Sequence, residues 1–199
     1  WVASGRGGWC RHRGGGPGRG RQGGWGKVNV AARWIAGPSF LAFVCDRLGR
    51  NRALAAKLCF EVTETAAISN LTQARAFIDA VKARGCRMAL DDFGSGLSSF
   101  GYLRQLPADI LKIDGAFVRD MDTDAVSRAT VRAISELGRE LQMELVAEWV
   151  ETAEVAQTLA DMGVDGLQGY AIERPQPLER LTLANQRPVR LVGTPGPQG

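Results

Sequence analysis

Six short β-rich runs recur along this chain, with helical patterns between most of them. The runs are Lys27–Val30, Lys57–Val62, Arg87–Asp91, Ile110–Ile113, Met143–Ala147 and Leu167–Ile172. This alternation restricts the fold to the α/β class with a parallel sheet, open or closed into a barrel, because parallel neighbours need a crossover long enough to hold a helix. The helices carry their own punctuation. Asn70 caps one with Gln73 three positions on, Phe77, Ile78 and Val81 supply its apolar stripe, and Gly85 ends it. A second helix is predicted over 124–141 and a third over 152–163.

The candidate chemistry lies where polar residues meet strand ends. Asn29, Glu61 with Glu64, Asp91 with Asp92, Lys112, Glu148 and Gln168 fall at or just past the ends of predicted strands, spaced by about one βα unit. In a parallel barrel such residues converge at the C-terminal rim. Carboxylates gathered there repel one another and raise one another's pKa values unless cations neutralise them, so the cluster predicts metal. Oxygen donors without His or Cys favour Mg²⁺ or Mn²⁺ over zinc, and the adjacent pair Asp91 and Asp92 suits two ions, one bridging and one terminal. Lys112, between Leu111 and Ile113, is expected to point inward or upward, where a buried ammonium needs an acidic or phosphate partner. Taken singly, Glu64 or Glu144 reads as a helix cap or a solvated charge; the argument rests on the set.

Charge divides the 199 residues unevenly. Residues 1–27 hold Arg6, Arg11, Arg13, Arg19, Arg21 and Lys27 with no acid, so the formal +4 belongs to this segment and the remainder is slightly acidic. With 11 of the 25 glycines and few aliphatic side chains, residues 1–26 are expected to be disordered. A flexible linker is the plain reading of this segment. A nucleic-acid arm with Trp1, Trp9 and Trp25 as stacking platforms is a second, and GC-rich codons translated in the wrong frame a third. Residues 187–199, with Pro188, Pro195 and Pro197, read as a frayed tail. No apolar stretch approaches the roughly 20 residues that cross a bilayer, and the chain is expected to be soluble and cytoplasmic. Cys10, Cys45, Cys59 and Cys86 lack paired spacing and His12 is the only histidine, which argues against zinc and structural disulfides.

Five ordered motifs carry a resemblance. Glu61-Val62-Thr63-Glu64-Thr65, Ala89-Leu90-Asp91-Asp92-Phe93-Gly94-Ser95-Gly96, Leu111-Lys112-Ile113-Asp114, Val146-Ala147-Glu148-Trp149-Val150-Glu151-Thr152 and Leu167-Gln168-Gly169-Tyr170 resemble successive motifs of the EAL family of cyclic-di-GMP phosphodiesterases. The resemblance implies a TIM-like (β/α)8 barrel, incomplete at the N-terminus, over residues 27–186. It implies that Asn29, Glu61, Asp91, Asp92 and Glu148 are metal ligands for two Mg²⁺ or Mn²⁺ ions. Lys112 matches the lysine that orients the attacking water, Glu148 a candidate general base, Gln168 a residue near the ions and their water, and Glu64 a brace for the loop after Asp92. The implied partners are cyclic-di-GMP, a second copy of the domain, and an upstream sensory or diguanylate cyclase module.

Three departures bear on activity. The Glu-Ala-Leu strand that supplies a further ligand is absent upstream of Asn29. Trp149 stands where the family has glycine, next to Glu148, and is expected to crowd the site or redirect that carboxylate. Ala31 stands where a hydroxyl is common. Very low activity is therefore expected, and the alternative is a catalytically degenerate module that binds cyclic-di-GMP or a protein. Asp92-Phe93-Gly94 also spells the kinase magnesium motif, but its companion motifs are missing, and Gly94-Ser95-Gly96 lacks the third glycine of a dinucleotide fingerprint.

Overall fold

The computed structural model describes residues 10–11, 26–96 and 100–172. The readings of residues 187–199 as a tail, and of residues 1–26 apart from Cys10, Arg11 and Gly26, lie outside the described residues.

Strand and helix alternate as β1 (Cys10–Arg11), β2 (Gly26–Asn29), α1 (Ala32–Ile35), α2 (Pro38–Gly49), α3 (Arg52–Ala55), β3 (Leu58–Thr63), α4 (Glu64–Ser69), α5 (Leu71–Lys82), β4 (Arg87–Phe93), a 3₁₀ turn (Phe100–Gln105), β5 (Ile110–Ile113), α6 (Gly115–Asp120), α7 (Ala125–Glu140), β6 (Glu144–Ala147), α8 (Ala153–Asp161) and β7 (Gly166–Leu167). The strands form one sheet in the order β1-β7-β6-β5-β4-β3-β2. β2 through β7 run parallel, and β1 pairs antiparallel with β7.

The sheet is curled, not flat. β2 and β7 are separated by five inter-strand steps, about 24 Å in a flat sheet. Yet Lys27 Nζ in β2 donates to Gln168 Oε1 just beyond β7 at 2.5 Å. The outer parallel strands therefore face each other across a shared interior, as in a curled partial barrel and not in an open flat sheet. Among the described residues no ladder joins β1 to β2, so the cylinder is incomplete.

The pleat sorts the core into two clusters. Phe60, Val62, Met88, Leu90, Leu111, Ile113, Leu145 and Ala147 belong to the large cluster that also contains the buried helix residues. Their alternates Cys59, Ala89, Ile110 and Val146 form a separate small cluster inside the curl. Two positions further along each of these four strand paths stand Glu61, Asp91, Lys112 and Glu148. An apolar floor of small and medium side chains thus lies beneath a charged mouth.

The helix signals translate into contacts. Asn70 Oδ1 accepts from Gln73 N at 3.1 Å, and α5 buries Ala74, Phe77, Ile78 and Val81. Thr152 caps α8, and Asp124 caps α7 by accepting from Ser127 N at 2.7 Å. Helices α1 to α4 and α6 are short or lie in segments without a strong stripe, and the sequence reading did not resolve them. The predicted final strand is also shortened. Leu167–Ile172 contributes only Leu167 to β7, because Val150 N donates to Gln168 O and Ala171 N donates to Val150 O, each at 3.0 Å, turning the chain across the rim.

Candidate active site

Lys112 is the hub of the mouth. Its ammonium is 2% exposed and lies 2.6 Å from Asp91 Oδ1, 2.7 Å from Glu148 Oε1 and 3.4 Å from Glu61 Oε2. Burial alone would lower its pKa, but Glu61, Glu148 and Asp91 outweigh burial and raise it, so this lysine stays charged. Burial pushes the Glu148 carboxyl up against the pull of Lys112. Asp92 is raised by burial and by the neighbouring charges of Asp91 and Asp114.

Two consecutive aspartates reach one site through a break in the strand. Along a regular strand Asp91 and Asp92 would face opposite sides. The β4–β5 register shifts between Leu90 and Phe93, and Asp92 takes φ +52°, a left-handed conformation that Asp tolerates better than most residues. As a result Asp91, Asp92 and Glu148 each offer an oxygen within 4.8 Å of the others.

Glu64 opens α4 and is buried at 1% exposure. Its Oε2 accepts from Gly94 N at 3.0 Å and its Oε1 from the Tyr102 hydroxyl at 2.5 Å, which ties the turn after Asp92 to α4. A Cβ at Gly96 would lie 3.3 Å from this carboxylate, so a residue without a side chain suits the loop's close approach. Asn29 is exposed and pairs in register with Glu61, which puts it on the same rim. Every predicted site residue is therefore on the C-terminal side of the sheet. Asp91, Lys112, Glu148 and Glu61 are in direct contact through Lys112, Gln168 joins through Lys27, and Glu64 acts from behind the loop.

Lys27 is the member that sequence reasoning passed over. It is buried, donates to Gln168 and stands 3.5 Å from Glu61 Oε1, and burial lowers its pKa against the attraction of Glu61. The signal was available: Lys27 alternates with Val28 and shares the face of Asn29. Tyr102, the partner of Glu64, had no comparable signal because it lies in a 3₁₀ turn.

The donor set fits divalent cations. Four carboxylates, Glu61, Asp91, Asp92 and Glu148, face two ammonium groups, so acid outweighs base in a largely buried space. Glu61 Oε1 is buried and makes no hydrogen bond among the described residues; the Lys27 ammonium stands off from it at 3.5 Å. A buried carboxylate oxygen held only by so long an ion pair leaves room for a closer cation.

The expected disturbance by Trp149 takes a specific form. Its φ is +54°, the left-handed region where glycine is unstrained, which explains in physical terms why glycine suits this position. The indole lies on Gly115, where a Cβ would come within 2.4 Å of its Cγ. Glu148 keeps its contact with Lys112.

The EAL domain family model matches residues 13–175. The chain belongs to the EAL domain family. The match begins inside the Gly/Arg-rich segment. The chain is 46% identical over 121 residues to the cyclic di-GMP phosphodiesterase PdeB of Shewanella oneidensis, covering 61% of this chain and 14% of that protein. It is 36% identical over 163 residues to the cyclic di-GMP phosphodiesterase PdeF of Escherichia coli, covering 82% of this chain and 22% of that protein. The structure of the PaMucR phosphodiesterase in complex with c-di-GMP superposes with a TM-score of 0.73 at 37% identity, over 78% of this chain and 63% of that one. The chain thus spans a small part of its curated relatives' length. Among the described residues no helix of this EAL domain is long and apolar enough to cross a membrane.

Proposed function

We propose that this domain cleaves one phosphodiester bond of cyclic-di-GMP, releasing linear pGpG, and that it works in the cytoplasm as one module of a longer signalling protein, with a sensory or diguanylate cyclase module upstream and a second copy of itself as possible partners. The observation that carries the reading is the Lys112 hub, an ammonium held by three carboxylates, two of which, Asp91 and Glu148, also form an acidic cluster with Asp92 at the C-terminal mouth. The named activities of PdeB and PdeF support the choice of substrate.

Two divalent cations, Mg²⁺ or Mn²⁺, held by Asn29, Glu61, Asp91, Asp92 and Glu148 would screen the anionic diester and acidify a water molecule. Lys112 would orient the attacking water and steady charge on a phosphate oxygen, a role suited to an ammonium that does not lose its proton. Glu148, which lies 2.7 Å from Lys112 at the same mouth, would receive the proton. Lys27 and Gln168 fix the far side of the mouth, and Glu64 holds the loop that presents Asp92.

The test is pGpG release with Mn²⁺, with Glu148→Gln as control. Slow release that the variant abolishes supports the enzyme. Absence of both binding and turnover refutes the reading. A second reading, binding without turnover, is selected by tight retention of intact cyclic-di-GMP.

A further inference from the structure

The acidic mouth accounts for phosphate chemistry and leaves the bases of a dinucleotide without an assigned contact. One large side chain on the same rim has no role in that chemistry. Trp149 directly follows Glu148, and it is 53% exposed. The chain on either side of it is anchored, since Glu148 N donates to Ile113 O at 3.4 Å and Val150 N to Gln168 O at 3.0 Å.

The indole is also held in place. It rests on Gly115, the first residue of α6, at a distance that only glycine permits. The Arg119 guanidinium lies over the ring at 5.4 Å from its centroid. A held and half-exposed aromatic with a guanidinium over its ring brings together the two groups, an aromatic face and an arginine, on which nucleobases stack. The backbone strain of a tryptophan at φ +54° is retained in a loop that carries a site carboxylate, as strain at functional positions often is.

We infer that Trp149 is a base-stacking residue, with its indole receiving a guanine ring of the nucleotide whose phosphodiester lies at the Lys112 mouth. This rests on the phosphodiesterase reading for the identity of the ligand. Arg119 contributes a positive charge next to the stacked base, and Gly115 is a positioning residue that gives the indole its seat.

Isothermal titration of the full chain with pGpG, cyclic-di-GMP, GMP and Mn²⁺ alone tests the inference. Trp149→Asn is the main variant, because Asn tolerates the left-handed conformation and preserves the loop. It is expected to weaken pGpG and cyclic-di-GMP binding about tenfold while leaving Mn²⁺ affinity unchanged. Trp149→Phe retains most of the affinity. Gly115→Ala, which displaces the indole, weakens nucleotide binding in the same direction. Should Trp149→Asn bind the dinucleotides as tightly as the parent and lose only thermal stability, the indole is a packing peg and the inference is overturned with the phosphodiesterase reading intact. Binding of GMP that depends on Trp149, without binding of either dinucleotide, keeps the platform and overturns the phosphodiesterase reading. A parent chain that binds none of the nucleotides overturns both.

Discussion

The two ends of the curled sheet use charge in opposite ways. At the N-terminal end, ions are matched one to one: Arg87 with Glu144 at 2.8 Å and Lys82 with Asp109 at 2.7 Å. Carboxylates there also serve the backbone, with Asp109 accepting from Met88 N at 2.9 Å and Asp165 from Leu145 N at 3.0 Å. A cavity of about 640 Å³ opens among these residues; in its lining Arg87 pairs with Glu144, and Arg139 donates to Met162 O. At the C-terminal end, four carboxylates share two lysines. One end closes strand ends in the way a scaffold does, and the other holds an unspent negative charge. The comparison locates function by imbalance and not by volume.

The sharpest way to break this contrast is to remove one ammonium from each end. Lys112→Met leaves three carboxylates around a buried apolar side chain and is expected to cost about 3–5 kcal/mol. Lys82→Met removes a partly exposed pair and should cost about 1 kcal/mol or less. Urea unfolding of both variants measures the difference. Added Mn²⁺ should recover part of the loss in Lys112→Met and none in Lys82→Met. Equal losses, or recovery in both, would erase the distinction between the ends.

Two smaller changes test how the rim is held. Gly169→Ala would place a Cβ 2.2 Å from Val150 O and 2.3 Å from Val150 N, a clash with backbone that cannot move aside cheaply. The expected loss is about 3 kcal/mol, seen as a lower Tm, with weaker Mn²⁺ binding as Glu148 shifts. Glu64→Leu strips the acceptor from Gly94 N and the Tyr102 hydroxyl. It should cost about 2 kcal/mol and speed amide exchange at Gly94, while leaving the N-terminal end as protected as before.

The charged positions were legible because a barrel strand repeats every two residues. Glu61, Asp91, Lys112 and Glu148 each stand two places beyond a small or apolar inward residue, and sequence alone aligns them. Lys27 carries the same period of two, on the face of Asn29, but borders the basic segment and is masked there by its net charge. What periodicity cannot supply is conformation at breaks in the pattern. The bulge that turns Asp92 toward Asp91, the reach of Tyr102 to Glu64 and the seat of Trp149 on Gly115 depend on packing between distant segments. The short helices escaped for a related reason: α1 and α3 span four residues each, too few for a stripe.

The mildest departure from the family pattern gives the finest test. Ala31 is the N-cap of α1, the helix that leaves the rim two residues after Asn29. Its backbone has the extended geometry of a cap, φ −70° and ψ 150°, but no side chain accepts from the first turn. A serine there fits the observed backbone without strain and brings an oxygen to an amide that lacks an intrahelical partner. Ala31→Ser is therefore expected to stabilise the chain by about 0.5–1 kcal/mol. Because the gain arises beside Asn29, it should also slow amide exchange in the first turn of α1 and leave the N-terminal end unchanged. If Tm rises without local protection at α1, the hydroxyl acts elsewhere, and if neither changes, the cap is already satisfied by water. A tighter response to Mn²⁺ in the same variant would connect the helix start to the asparagine it follows.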